Sequence, residues 1–202
     1  MSNYILSYTH LKNNGLWHNE KLIAQSESID FTIVLDEIYK SLQLSYPKFY
    51  KMDSLCKTGI LCAEPIMQDE SAREIFAKEK TALILSNKNS SLQTDIAYSK
   101  TRESFPSPAL FVYTLSNIVT GEISIKHKLT GENAFFVEPV FNADLLYNYT
   151  EIILQENDAT LCGWLDENDC FLYFVAKENP ILEKKATFIQ HNTENINKLY
   201  NQ

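Results

Sequence analysis

Cysteines and histidines are the side chains of this sequence with the widest chemical repertoire. Thiolates act as nucleophiles or metal ligands, and imidazoles act as bases or ligands. The cysteines are Cys56, Cys62, Cys162 and Cys170, and the histidines are His10, His18, His127 and His191. They form no C-x-x-C pair, no H-E-x-x-H motif and no Cys/His cluster, so the spacing predicts neither a metal site nor a disulfide framework. The sequence therefore predicts four buried, inert cysteines and no cofactor.

Two of the histidines lie in patterns that predict opposite environments. His127 belongs to EISIKHKL (122–129), where it shares one side of an alternating strand pattern with Ile123 and Ile125. This position predicts a core histidine rather than a catalytic one. His191 belongs to a polar tail and is predicted to be exposed to solvent.

Short apolar runs alternate with amphipathic patterns along the chain. The predicted strands are YILSYTH (4–10), TALILS (81–86), AFFVEPV (134–140), ATLCGWL (159–165) and CFLYFVA (170–176), the last two forming an antiparallel hairpin. We therefore predict one α/β domain over residues 1–180, with a mixed central sheet and helices on both faces. Residues 181–202 are predicted to form a C-terminal extension with a possible strand, ATFIQ (186–190), and a polar end that frays.

Helical patterns occupy residues 53–66, 71–80 and 142–157. Asp53 is a suitable N-cap for the first helix, which is expected to bend or end at Pro65. Asn142 or Asp144 is expected to cap the third. Two further ranges are less regular: 31–43 fits a helix or a strand, and NKNSSLQTD (87–95) is polar and loop-like.

The most specific stretch is SPALFVYTLSNIVTGEISIKHKLTGEN, residues 107–133. It resembles the pattern SP-x-x-F…TL-x-N…G-x-I…G-L-x-G-P-N of the β-ketoacyl synthases. Residue types agree at Ser107, Pro108, Phe111, Thr114, Leu115, Asn117, Gly121, Ile123, Leu129, Gly131 and Asn133. Taken singly, Gly121 and Gly131 also fit a purely conformational role. The resemblance runs from about Lys51 to about Glu167 and implies half of a thiolase-like fold, similar to the first half of these enzymes.

The family's catalytic cysteine follows this pattern at a tight elbow before a helix. Counting forward from Gly131 places that position at Val140, and the neighbouring Pro139, Phe141 and Asn142 are no substitutes. The resemblance therefore implies a chain without the family's nucleophile and without the two histidines of the second half. It offers Phe135, Phe136, Val140, Phe141, Asn142, Thr114 and Asn117 as candidates for substrate binding or a subunit interface.

Three functions remain open. The first is a non-catalytic, truncated ketosynthase-like protein, an accessory or chain-length-factor-like partner in fatty-acid, aryl-polyene or polyketide-type biosynthesis. Its expected partners are a full-length ketosynthase, which AFFVEPV would join across a dimer axis, or an acyl carrier protein, with a homodimer also possible. The second is an acyltransferase, hydrolase or condensing enzyme with an unrecognised nucleophile. The third is a stand-alone acyl-chain binding module.

Charge and hydropathy limit the remaining functional classes. The net charge is −8, from 18 basic and 26 acidic residues, which argues against a nucleic-acid partner. The apolar runs ALIL and FLYFVA are far shorter than the roughly 20 residues that a membrane-spanning helix needs. The first residues lack the pattern of a signal peptide, so we expect a cytoplasmic protein without a membrane span.

Overall fold

The computed structural model describes residues 2–69, 77–166, 168–178 and 188–202. The strands are β1 (Asn3–Lys12), β2 (Gly15–His18), β3 (Lys21–Gln25), β4 (Thr81–Asn87), β5 (Asn133–Val137), β6 (Ala159–Leu165), β7 (Cys170–Lys177) and β8 (Ile189–Gln190). The helices are α1 (Phe31–Ser41), α2 (Ser54–Gln68), α3 (Leu92–Thr101), α4 (Pro108–Val112), α5 (Ile118–His127), α6 (Ala143–Ile153) and α7 (Thr193–Tyr200). Short 3₁₀ turns occupy Pro47–Lys51 and Lys78–Lys80.

The strands form one mixed sheet in the order β3-β2-β1-β7-β6-β4-β5, with β8 paired to β1. β4 runs parallel to both β5 and β6, whereas the pairs β6/β7, β7/β1, β1/β2 and β2/β3 are antiparallel. The predicted hairpin is confirmed, because Leu165 at the end of β6 pairs with Cys170 at the start of β7. The mixed sheet expected from the apolar runs is therefore present.

Helices cover both faces of the sheet, as predicted. Every residue of β4 is buried, and its side chains alternate between two hydrophobic clusters. Leu83 and Leu85 point to the cluster formed with α1, α2 and α5, whereas Ala82 and Ile84 point to the cluster formed with α6 and α7. Because both faces are apolar, the strand has a continuous rather than an alternating apolar sequence.

The strand predicted for residues 122–129 is wrong, because these residues belong largely to helix α5. Val119 and Ile123, four residues apart, are fully buried and pack over Gly59 of α2, while Ile125 faces solvent. The helical spacing therefore decides which side chains are buried, and the alternation of Ile123 and Ile125 is incidental. The helix ends at Lys128, which takes a left-handed conformation with φ of 59°.

The two histidine predictions have different outcomes. His127 is largely buried, as predicted, but lies in the last turn of α5, where its Nε2 is 3.5 Å from Glu64 Oε2. The predicted exposure of His191 is wrong: its side chain is fully buried, and Nδ1 lies 2.9 Å from Glu151 Oε1. The polar tail does not fray, because α7 buries Ile196 and Leu199 against the sheet.

Several element boundaries also differ from the sequence prediction. Pro65 does not end α2, which continues to Gln68, and residues 31–43 resolve as helix α1. The predicted loop 87–95 contains the first turn of α3. The helix predicted at 142–157 is α6, which ends earlier, at Ile153. Most of the helix predicted at 71–80 lies outside the described residues, and the hairpin of β2 and β3 was not predicted. The division at residue 180 stays a prediction.

Two glycines of the ketosynthase-like pattern, Gly121 and Gly131, allow a first test of the packing. Neither has a positive φ. A Cβ on Gly131 would lie 2.3 Å from the carbonyl oxygen of Thr81, whereas a Cβ on Gly121 would meet nothing within 4 Å. We expect Gly131→Ala to lower the free energy of unfolding by about 1–3 kcal/mol in urea denaturation. Gly121→Ala is the control and should be neutral or stabilising by up to about 1 kcal/mol, since alanine is the better helix former. Equal denaturation midpoints for the two variants would contradict this account.

The buried histidines predict that acid destabilises the fold. The pKa of His127 is lowered from 6.5 to about 4, mainly by burial; Glu64 opposes this shift, and nearby Lys126 and Lys78 add to it. The native state therefore keeps this ring neutral while the unfolded chain binds a proton. Stability contributed by His127 is complete well above pH 6.5 and is lost as the pH falls towards 4, by about 2–3 kcal/mol at pH 4.5.

This loss is measured as the difference in urea midpoint between pH 7 and pH 4.5. His127→Gln should reduce the difference, because glutamine does not titrate. Burial also lowers the pKa of His191, so part of the pH dependence should persist in that variant. A His127→Gln protein with the same pH dependence as the native chain would refute the assignment.

Candidate functional site

The carboxyl ends of three parallel strands meet at one edge of the sheet. β4, β5 and β6 end there at Asn87, Val137 and Leu165. This is the edge at which open α/β sheets commonly bind ligands. Residues 138–142, here called the elbow, connect β5 to α6 at this edge. The backbone N–H of Glu138 donates to the carbonyl oxygen of Asn87 at 2.9 Å and so fixes the start of the elbow to the end of β4.

Asn142 closes the elbow as the N-cap of α6, as predicted. Its Oδ1 accepts a hydrogen bond from the backbone N–H of Leu145 at 3.0 Å, and its Nδ2 donates to Glu138 Oε2 at 2.9 Å. Asp144 adds a carboxylate in the first turn. The positive end of the helix dipole is therefore already matched by an amide oxygen and a nearby acidic group. A thiolate at this terminus would meet repulsion from Glu138 and Asp144.

Val140 and Phe141 take opposite environments within the elbow. Val140 is 66% exposed. Phe141 stacks on Tyr200 of α7 with ring centroids 3.9 Å apart, and its ring also lies edge-on to Phe171 and Trp164. Aromatic pairs of this kind each contribute about 0.5–1.5 kcal/mol beyond the area they bury. Through Tyr200, helix α7 thus fixes the position of the elbow on the face of the sheet that α6 and α7 cover.

The other predicted site residues are divided between the two faces. Phe136 packs edge-on to Tyr149 of α6, on the same face as Phe141. Phe135 points to the opposite cluster, with α5. Adjacent residues of a strand face opposite ways, so these two phenylalanines cannot line a single channel.

Thr114 and Asn117 lie in the turn between α4 and α5. The carbonyl oxygen of Thr114 accepts a hydrogen bond from Ser91 Oγ at 2.8 Å. Asn117 is exposed, and its side chain makes no capping bond to α5, although its carbonyl oxygen accepts from Thr120 Oγ1 at 2.7 Å. In this turn, both residues accept hydrogen bonds through their backbone carbonyl oxygens. Any contribution of theirs to a ligand site stays a prediction.

A polar cavity at the same edge was not predicted from the sequence. Its volume is about 240 Å³, and its lining includes Asp53, Asn87, Thr94 and Asp166. Asp53 caps α2 through Oδ1, which accepts from the N–H of Cys56 at 2.9 Å, and its Oδ2 accepts from Thr94 Oγ1 at 2.8 Å. The signal available in the sequence was Asn87 and the polar residues that follow a fully buried strand. Its two carboxylates make the cavity unsuited to an anionic ligand.

All four cysteines are buried and free, which confirms their predicted burial. Burial raises the pKa of Cys56 and Cys170 well above the usual value and that of Cys162 to about 12. Thr150 Oγ1 lies 3.0 Å from Cys162 Sγ, within hydrogen-bonding distance of this thiol. At neutral pH the thiols of Cys56, Cys162 and Cys170 are protonated and shielded, so they lack the properties of a nucleophile.

Within the described ranges, no three histidine, cysteine or acidic side chains are grouped so that they could hold a metal ion. The helices of those ranges are all too short or too polar to cross a bilayer.

Comparison with known proteins places this geometry among solved structures. No family model and no curated protein matches the sequence. The ishigamide ketosynthase/chain length factor aligns at a TM-score of 0.66 and 15% identity, over 88% of this chain and 62% of that chain. The chain has the thiolase-like fold of the ketosynthases.

Two further structures agree with that fold. The ketosynthase ApeO in complex with its chain length factor ApeC, from Xenorhabdus doucetiae, aligns at a TM-score of 0.58 and 9% identity, over 89% of this chain and 81% of that chain. The complex AntDE:AntF, a type II PKS acyl-carrier protein with its ketosynthase bound to the hexaketide, aligns at a TM-score of 0.62 and 8% identity. The alignment covers 93% of this chain and 65% of that chain. This chain spans less than two thirds of the first and third of these chains. At such identities the match establishes the fold, which confirms the predicted ketosynthase-like architecture.

Thiol labelling tests the elbow of this ketosynthase-like chain. We expect the four native cysteines to react slowly with 5,5′-dithiobis(2-nitrobenzoate), because each is buried, and to react fully once the protein is denatured. Val140→Cys should add one thiol that reacts at least about tenfold faster, since residue 140 is exposed. Rapid labelling of a native cysteine in the folded protein would contradict the burial of these thiols and would favour an enzyme with a thiol nucleophile.

Proposed function

We propose that this chain is a non-catalytic ketosynthase-like subunit that pairs with a full-length ketosynthase, in the manner of a chain length factor. The observation that carries the proposal is the composition of the elbow and the first turn of α6. Residues 138–146 contain no cysteine, serine or threonine, and Val140 stands where the family pattern has its cysteine. The thiols elsewhere in the chain are buried. Solved ketosynthase structures that include a chain length factor are among the structures with this fold, which supports the same reading.

The surface that fits such a partner is the free edge of β5. This strand is at the end of the sheet and, among the described strands, hydrogen-bonds to β4 alone. Its other edge therefore presents unpaired backbone groups, which can pair with a strand of another chain. Val137 at the end of β5 is 54% exposed, and Val140 follows it in the elbow. An apolar, open strand edge favours a protein partner.

The two edges of the sheet differ in how they are protected. Natural edge strands often carry lysine or proline, which prevent pairing with other chains. The opposite edge strand, β3, begins with the exposed Lys21. β5, with the sequence NAFFV, has neither lysine nor proline. This contrast favours β5 rather than β3 as the edge that is paired in the assembled protein.

A second group of exposed apolar side chains supports a larger interface. Phe111 and Val112 of α4 and Leu115 in the following turn each have about half of their surface exposed. These residues belong to the stretch that resembles the β-ketoacyl synthases most closely. A stable protein interface needs roughly 800 Å² on each partner, more than a single five-residue strand supplies. We therefore assign α4 and the turn after it to the same partner.

The chain's contribution to the chemistry would be structural. Phe141 is held between Tyr200, Phe171 and Trp164, so the inner side of the elbow is filled by the chain's own aromatic rings. A ketosynthase partner would supply the nucleophile, and this subunit would supply a wall of the shared interface. A second candidate partner is an acyl carrier protein, which would bind the complex of this chain with the ketosynthase. The biosynthetic class, whether fatty acid, polyene or polyketide, depends on that ketosynthase.

The partner proposal is tested by co-expressing the chain with a full-length ketosynthase encoded beside it. A 1:1 complex should elute in size-exclusion chromatography with light-scattering detection. Val137→Lys should weaken the complex at least about tenfold, because it places a charge at the strand edge. Ile33→Lys is the matched control: Ile33 is 48% exposed on α1, which packs on β3 at the other edge, and this variant should bind normally.

The same experiment separates the alternatives. A dimer of this chain that excludes the ketosynthase, or equal weakening by Val137→Lys and Ile33→Lys, would overturn the assigned partner or surface. A monomer that co-purifies with a fatty acyl chain, visible by mass spectrometry, would instead indicate a stand-alone acyl-binding module.

A further inference from the structure

A second cavity of about 240 Å³ lies between the β1–β2 hairpin and the C-terminal end of α7. His10 and Trp17 are paired across the two strands, so their side chains share one face. Tyr8 and Lys12 lie two residues on either side of His10 and point the same way. Leu199 of α7 closes the cavity from above. Its walls are therefore aromatic and aliphatic, with a small number of polar atoms, which is the usual composition of a small-molecule site.

His10 is the polar group most firmly fixed in this wall. Its Nε2 donates to Asp169 Oδ1 at 2.8 Å, and Asp169 Oδ2 accepts from the hydroxyl of Tyr200 at 2.5 Å. The imidazole stacks against Tyr200 and tilts against Phe171, with ring centroids 5.7 and 5.6 Å away. Its side chain is only 7% exposed. The ring is thus held in one orientation by two aromatic contacts and a half-buried carboxylate.

The Asp169 carboxylate determines which imidazole nitrogen carries the proton. Burial raises the pKa of this carboxyl, but hydrogen bonds from His10 and Tyr200 outweigh that effect and hold the pKa below its usual value. An ionised carboxylate is an acceptor only, so Nε2 must carry the hydrogen and Nδ1 of the neutral ring is an acceptor. Within the described residues, the ring's hydrogen bond is the one made by Nε2. Nδ1 is therefore the acceptor that His10 can offer to a ligand.

The charges around the cavity offset one another. Lys12 and Glu20 both line it and carry opposite charges. Burial and the nearby Glu20 raise the pKa of Tyr8 to about 12, so this phenol is neutral at physiological pH. A strongly charged ligand would gain attraction from one of the two charged side chains and repulsion from the other. The lining therefore favours a neutral ligand.

We propose that this cavity binds a neutral, planar ring that carries a single N–H donor, with the ring against Trp17 and Leu199 and the donor on His10 Nδ1. Three observations support the proposal. The cavity is mainly apolar, the His10 imidazole is fixed through Nε2 and keeps Nδ1 as an acceptor, and the charges of Lys12 and Glu20 in its lining offset each other. The site is separate from the elbow and the β5 edge and does not depend on the proposed pairing with a ketosynthase.

Indole and 1-methylindole are the probes, because they differ only at the ring nitrogen, where a methyl group replaces the N–H donor. The chain contains two tryptophans, so its ¹⁵N spectrum has two indole N–H signals. The signal of Trp17 should shift in a saturable way with indole. The signal of Trp164, which is 4% exposed and outside the cavity, is the internal control and should not move. Indole should bind about two- to tenfold more tightly than 1-methylindole, as expected for one hydrogen bond.

Two variants identify the acceptor. His10→Phe keeps a ring but removes Nδ1, so it should bind both probes equally. His10→Asn keeps an acceptor near the position of Nδ1 and should retain part of the preference for indole. Equal affinities of the native chain for the two probes, or parallel shifts of both tryptophan signals, would overturn the proposal. An unchanged preference in a folded His10→Phe protein would do the same.

Discussion

The structure depends on the burial of both faces of the central strands. Every residue of β4 and β6 is buried, so two layers of helix are required, and the chain must supply both. One layer, with α1, α2 and α5, comes from three separate parts of the sequence. The other consists of α6 and the C-terminal α7. Without α7 the face of β1 and β7 that carries Tyr8, Phe171 and Tyr173 would lose part of its cover, because α6 packs mainly on β4 and β6.

This requirement ties the C-terminal helix to the elbow. Tyr200 at the end of α7 stacks on Phe141, and its hydroxyl donates to Asp169 in the turn between β6 and β7. The same residue also packs against His10 of β1. One side chain therefore joins the elbow, the β6–β7 turn and the N-terminal strand. The elbow is held by packing on its inner side, and what it offers to other molecules is its outer side, where Val137 and Val140 are exposed.

The sequence indicates the parts of the fold that local pattern determines. Strands β4, β6 and β7 follow directly from continuous apolar runs, and Asp53 and Asn142 are recognisable caps. Helix α5 was missed because the contact that selects it, Val119 and Ile123 against Gly59, joins residues some sixty positions apart.

The same holds for the features that only the folded chain creates. His191 is buried because β8 pairs with β1 at the other end of the chain. The hydrogen bond between His10 and Asp169 spans 159 positions, so no sequence window contains it. Local pattern therefore predicted the layers of the fold, and long-range contacts determine its cavities.

The proposal that the elbow holds no nucleophile rests on the whole elbow rather than on one residue. A reactive thiolate needs an uncapped helix terminus or a cationic neighbour that lowers its pKa. Here Asn142 already caps α6, Glu138 is hydrogen-bonded to Asn142, and Asp144 follows in the first turn. A cysteine introduced at position 140 would be exposed, yet it would face carboxylates that raise its pKa. A cysteine placed there would therefore be a reagent-accessible thiol without being an activated one, which agrees with the proposed non-catalytic role.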